Sequence, residues 1–114
     1  MKTKIVISLV SHGHNELIIN NKHILEYISN VNIILIIKDN VNSKELESFA
    51  QLNNIDYLVN QKPKGFGHNN NDVFDFAINK YEFDLFICLN PDVFLAHDIL
   101  CDFCDDFVKS PSPI

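Results

Sequence analysis

Leu85-Phe86-Ile87-Cys88-Leu89-Asn90-Pro91-Asp92 joins an unbroken apolar run to a proline, and a central strand ladder does not tolerate proline. The run therefore reads as a buried strand that stops at Asn90. Asp92 then stands just past the strand's carboxyl end. In open α/β sheets that edge is where ligands bind, so Asp92 becomes a candidate metal or ligand contact. Asn-Pro-Asp is also ordinary turn chemistry, and by itself the tripeptide is compatible with a plain strand-to-loop turn.

Working outward, apolar β-branched runs alternate with segments of helical period. Lys4 to Val10 is a first strand. Asn15 can cap a helix in which Leu17, Ile18, Asn21, Ile24, Leu25 and Ile28 recur at helical spacing and which ends near Asn30. Val31 to Ile37 is a second strand, Asn42 or Ser43 starts a helix with Leu46, Phe49 and Ala50, and Ile55 to Val59 is a third strand. Asn69 or Asn70 is expected to cap a helix with Phe74, Ala77, Ile78 and Tyr81 turned inward. Asp84 to Leu89 is the fourth strand, Asp98 to Val108 a closing helix, and residues 110–114 a disordered tail after a domain spanning 1–109.

Strands that are apolar on both faces and separated by helices imply a parallel sheet with right-handed crossovers. The expected fold is α/β: a Rossmann-like three-layer sandwich with about four strands in the order 3-2-1-4. Its crevice lies between the carboxyl ends of strands one and four, where Ser11 to Asn15 meets Asn90 to Asp92.

The chain has 114 residues, 46% hydrophobic, which suits one soluble domain with one modest core. A formal charge of -6 argues against nucleic acid, whose phosphates are held by clustered Lys and Arg. Lys2 and Lys4 ahead of Ile5 to Val10 faintly mimic a signal peptide, but the run breaks at Ser11-His12-Gly13-His14 and no small-residue cleavage site follows. A cytoplasmic location is expected. No stretch approaches the roughly 20 apolar residues that span a bilayer, so any association with the inner membrane would be peripheral.

Three cysteines do not make a disulfide framework. Cys88 reads as a small core residue. Cys101 and Cys104, with His97 one turn earlier, have the spacing of a zinc or redox pair. No fourth ligand is evident, and Asp102, Asp105 and Asp106 disfavour thiolates, so core-facing cysteines are the simpler reading.

Lys62-Pro63-Lys64-Gly65-Phe66-Gly67-His68-Asn69-Asn70-Asn71 precedes the third helix of the pattern. Its glycines allow close backbone approach, and the following helix start offers free amides with a positive dipole end, an arrangement that suits a diphosphate. It is neither a P-loop nor a dinucleotide fingerprint. A flexible Gly/Asn loop is the plainer alternative.

In order with its neighbours the segment is more specific. Val10-Ser11-His12-Gly13-His14-Asn15, Asp39-Asn40 with Ser43, Gly65-Phe66-Gly67-His68-Asn69-Asn70-Asn71 and Leu89-Asn90-Pro91-Asp92-Val93 follow one another. In that order the sequence resembles the N-terminal, nucleotide-binding half of family 2 inverting glycosyltransferases with the GT-A fold, particularly rhamnosyltransferase-like enzymes of bacterial capsule or O-antigen assembly. The resemblance implies a UDP-, dTDP- or GDP-linked sugar donor and a saccharide acceptor, free or lipid-linked. It implies Mg²⁺ or Mn²⁺ bound at Asp92 and bridging the diphosphate. Ser11 would contact the nucleobase and Asp39 the base or ribose. Gly67, Asn70 and Asn71 would take the ribose-diphosphate side, Gly65 and Asn90 would also belong to the nucleotide-sugar site, and His12 and His14 would line the same pocket. Asn90 stands where the fuller motif has Asp, so only one carboxylate serves the cation. The family's acceptor half and general base are not found in the chain, which points to self-association or a completing chain. A non-catalytic nucleotide-sugar-binding or interaction domain is the alternative from another class.

Overall fold

The four apolar runs pair as parallel strands β1 (Ile5–Ser11), β2 (Ile33–Asp39), β3 (Asp56–Val59) and β4 (Leu85–Leu89), in the expected order β3-β2-β1-β4. The structure, a computed structural model, describes residues 3–91. The helices between the strands are α1 (Asn15–Ile19), α2 (Lys22–Ile28), α3 (Lys44–Leu52) and α4 (Phe66–Lys80). The closing helix at 98–108, the tail, and His97, Cys101, Cys104 and Asp92 all lie outside the described residues.

Side chains alternate across the sheet, and this period of two builds the layers. Ile5, Ile7 and Leu9 of β1 and Ile33, Leu35 and Ile37 of β2 face Ile18, Ile24, Tyr27, Leu46 and Ala50 of α1 to α3. Val6 and Ile36 face Val73 and Ala77 of α4. A fully buried Ile or Leu contributes about 2 kcal/mol of transfer free energy, so the two faces of β1 and β2 hold the sandwich together. The ladder also sets the carboxyl edge: Ser11 lies opposite Asp39, Asp39 opposite Val59, and Leu9 opposite Leu89.

The first helix differs from expectation because it breaks in two. Asn21 takes an extended backbone and its side chain accepts from the His23 N–H, capping α2 anew. Asparagine competes with helical hydrogen bonding in this way. Helix α4 starts earlier than expected, at Phe66, with Gly65 rather than Asn69 or Asn70 as its N-cap. Its buried stripe is Asn69, Asn70, Val73 and Ala77, so Phe74 and Ile78 remain 40% and 52% exposed. Two polar side chains set the helix's rotation, because Asn70 Oδ1 must meet the Ser8 hydroxyl under the sheet. Phe74 still finds partners, edge-on to Phe86 at 5.1 Å and to Phe83 at 6.3 Å between ring centroids. Cys88, expected in the core, is exposed.

Candidate functional site

The connections from β1 to β2 and from β2 to β3 run over one face, and the connection from β3 to β4 crosses the other through α4. The reversal leaves a crevice between the carboxyl ends of β1 and β4. A cleft of about 420 Å³ occupies it. Val10, His12 and His14 line it from the β1 end, and Asn90 and Pro91 from the β4 end. Asn40 closes it beyond β2, and Lys64, Phe66 and Asn69 contribute the wall at the start of α4.

The period of two decides which residues reach this cleft. Ser8, Val10, Lys38 and Asn40 share the α4 face, whereas Ser11 and Asp39 share the opposite one. Ser11 is 1% exposed, and its hydroxyl accepts from the His14 N–H at 3.2 Å. Asp39 is fully buried. One of its oxygens accepts from the Val41 N–H at 3.0 Å, and the other from the Ser43 N–H at 2.7 Å and the Tyr57 hydroxyl at 2.6 Å. Burial and this bond to Asp39 together push the Tyr57 hydroxyl well above the usual tyrosine range. Both residues, expected as direct ligand contacts, hold the loops beneath the cleft.

The remaining sequence candidates separate in the same way. Asn70 is buried between Ser8 and the Phe66 carbonyl. Asn71 is exposed on α4, away from the cleft. Gly65 and Gly67 are exposed at the uncapped start of α4, where the first amides have no partner within the helix. His12, His14 and Asn90 line the cleft.

Asn60 was not singled out in the sequence, and Asn40, Phe66 and Asn69 were quoted within its motifs without being assigned as site residues. Asn40 Oδ1 accepts from Asn60 and from the Lys64 N–H, and Asn60 also donates to Asn69 Oδ1. Asn69 donates to the Lys64 carbonyl at 3.1 Å. This amide network pins the loop before α4 onto the end of β2. Counting by two from Lys38 would have placed Asn40 on the cleft side. Phe66 is 54% exposed at the mouth, an aromatic face available for stacking.

Electrostatically the cleft is basic in an acidic chain. Among its described lining residues, His12, His14 and Lys64 are ionisable and none is a carboxylate. Behind it Asp72 lies 3.0 Å from Lys64 Nζ and 3.3 Å from the nearly buried Lys38 Nζ. The hydrogen bond from Lys64, followed by that from Lys38, holds the Asp72 carboxyl below its ordinary value. A lowered folded value means stability that is present at neutral pH and lost as pH falls through that value. Asp72→Asn is therefore expected to lower the unfolding free energy measured in urea at pH 7 slightly, by less than about 1 kcal/mol because water screens the pair. The difference from wild type should vanish in acid once wild-type Asp72 is protonated. A difference that persists there would contradict the assignment.

Among the described residues no group of three or more His, Cys, Asp or Glu could hold a metal ion, and no helix is long and apolar enough to cross a membrane.

No protein-family model matches the chain. It is similar to rhamnosyltransferase WbbL of Escherichia coli (strain K12), 34% identical over 102 residues, which covers 84% of this chain and 37% of that protein. Among solved structures it resembles the mannosyltransferase PcManGT of Pyrobaculum calidifontis, in complex with GDP-Man and Mn²⁺, with a TM-score of 0.69 and 11% identity. That match covers 94% of this chain and 33% of the other. The chain thus spans about a third of the length of each, and at 11% identity the second likeness is one of fold.

Proposed function

We propose that this chain is the donor-binding part of a family 2, GT-A-type glycosyltransferase of bacterial surface-polysaccharide assembly, and that its cleft takes a nucleoside diphosphate-linked sugar. The observation that carries the reading is the cleft at the sheet's switch point, edged by basic and amide side chains and by the free amides of α4. Such a lining suits phosphate oxygens. Similarity to a named rhamnosyltransferase supports sugar transfer, and the shared fold with a mannosyltransferase supports the donor's placement.

In this reading Phe66 stacks on a flat part of the ligand, Lys64 and the amides at Gly65 and Gly67 meet the diphosphate, and Asn90 lies along the sugar side. Ser11, Asp39 and Asn70 shape the pocket from behind, and Asn71 would engage only a ligand that extends over α4. A divalent cation, Mg²⁺ or Mn²⁺, would sit at Asp92, next to Pro91, and offset the charge of the leaving diphosphate. The described residues offer no ligand set of their own, so the cation is expected to bind together with the diphosphate. Transfer also needs a base for the acceptor hydroxyl, and none is assigned among the described residues.

The test is calorimetric titration of UDP, dTDP and GDP with and without Mn²⁺. One of the three is expected to bind, and Mn²⁺ to tighten it. If none binds under either condition, the reading fails.

Gly67→Ala refines the placement. A Cβ there meets nothing within 4 Å, and alanine favours helix by up to about 1 kcal/mol over glycine. Thermal stability is expected to hold or rise while nucleotide affinity falls by about tenfold, or about 1.4 kcal/mol. Unchanged affinity would remove the start of α4 from the ligand's footprint.

A further inference from the structure

We propose that Asn40 is a positioning residue that locks the His12 ring with its proton on Nε2, so that the cleft meets its ligand with hydrogen-bond donors. The inference deepens the nucleotide-sugar reading and rests on it for the identity of the ligand.

The argument starts from a peptide group, whose roles are fixed. The Lys64 N–H can only donate and the Lys64 carbonyl can only accept. Asn40 bonds to both: its Oδ1 accepts from the Lys64 N–H at 2.8 Å, and its Nδ2 donates to the Lys64 carbonyl at 2.9 Å. Asn60 Nδ2 also donates to Asn40 Oδ1, at 2.8 Å. Turning the Asn40 amide over would set donor against donor and acceptor against acceptor at Lys64. Its orientation is therefore determined by chemistry.

The consequence falls on His12. Asn40 Nδ2 lies 3.0 Å from His12 Nδ1, so that ring nitrogen must offer a lone pair. The proton of the neutral ring then sits on Nε2. The same holds next door, where the His12 backbone N–H donates to His14 Nδ1 at 3.0 Å. In both rings Nδ1 is engaged within the protein, and both rings line the cleft. The ring atoms left for a ligand are two Nε2–H donors. A site edged in this way selects a ligand rich in acceptors, and a diphosphate or a base carbonyl qualifies where an amine does not.

The experiment combines ring-nitrogen NMR with titration, using uniformly ¹⁵N-labelled full chain. In ligand-free wild type at mildly alkaline pH, long-range ¹⁵N–¹H correlations are expected to show unprotonated Nδ1 and protonated Nε2 for both His12 and His14. Asn40→Asp replaces the amide hydrogens with a second acceptor, so the His12 proton should move to Nδ1 while His14, held by backbone, stays as it is. UDP, dTDP or GDP, whichever wild type binds, should lose about tenfold or more in affinity, the scale of one hydrogen bond to a charged group. His12→Phe should lose a similar factor, and the double variant less than the product of the two, because both changes remove one donor. The purely structural alternative predicts no tautomer change and additive losses. A wild-type His12 protonated on Nδ1 overturns the proposal, and that spectrum decides it even if Asn40→Asp does not fold. Unchanged tautomer and affinity in Asn40→Asp overturn it as well. The expected tautomers in a wild type that binds no nucleotide overturn the nucleotide-sugar reading instead.

Discussion

Asp39→Ala is expected to lower stability by about 3 kcal/mol, because it strips three donors of one buried acceptor. The Val41 N–H, the Ser43 N–H and the Tyr57 hydroxyl all end on that carboxylate. Each buried donor left unpaired costs about 1–3 kcal/mol, and water can reach the one at half-exposed Val41, which keeps the sum near the lower end. The loss would spread. Asn42 between them has φ 56°, a left-handed turn conformation that asparagine tolerates and that the flanking bonds to Asp39 help fix. Ser43 is the N-cap of α3 and accepts from the Leu46 N–H, so releasing it also loosens the helix that buries Leu46 and Ala50. Asp39→Asn should fall between, since an amide can accept at only one end. Urea unfolding followed by circular dichroism measures both variants. A change below about 0.5 kcal/mol for alanine, the range of ordinary surface substitutions, would show that the loop does not depend on Asp39.

The second large effect concerns the cation and leaves the fold untouched. Asp92→Ala is expected to abolish the part of nucleotide affinity that depends on Mn²⁺, about tenfold, and to leave metal-free affinity and thermal stability as in wild type. The expectation follows from the donor sets. The described cleft residues offer nitrogen donors and amides but no carboxylate, and a hard cation seeks oxygen ligands. In the proposed reading the carboxylate of Asp92, next in sequence to the cleft residue Pro91, and the oxygens of the diphosphate supply them, with amide oxygens of the cleft as neutral additions. Calorimetry of the nucleotide with and without Mn²⁺, in wild type and variant, reads the effect directly. An Asp92→Ala chain that keeps its Mn²⁺ response would place the cation elsewhere.

The strands and their order were legible because β1 and β2 are apolar on both faces, a pattern that only a sheet covered on both sides explains. From there a Rossmann-like half with strands one and four as central neighbours led to the order 3-2-1-4 and to the crevice at Ser11 and Asn90. Rotations and breaks were not legible. The phase of α4 depends on Asn70 meeting Ser8, a pairing 62 residues apart that no local periodicity carries. The break before Asn21 depends on a side chain preferring the His23 N–H to a continuous helix. Within the candidate site the structure separates the motif residues into those that line the cleft and those buried beneath it. Asp39 and Asn40 are adjacent in sequence and on opposite faces of the sheet, so one holds a loop while the other lines the cleft.

The alternation at the strand ends has a bearing on how ligand preference could be changed. Val10, His12 and Asn40 touch the cleft, while Ser11 and Asp39, interleaved with them, carry the loops. Cleft lining and loop support thus alternate along the same short stretches, with Asn40 serving both through its bonds to Lys64 and Asn60. A library that varies Val10 and His12 and spares Ser11, Asp39 and Asn40 is expected to change the pocket wall and keep its frame.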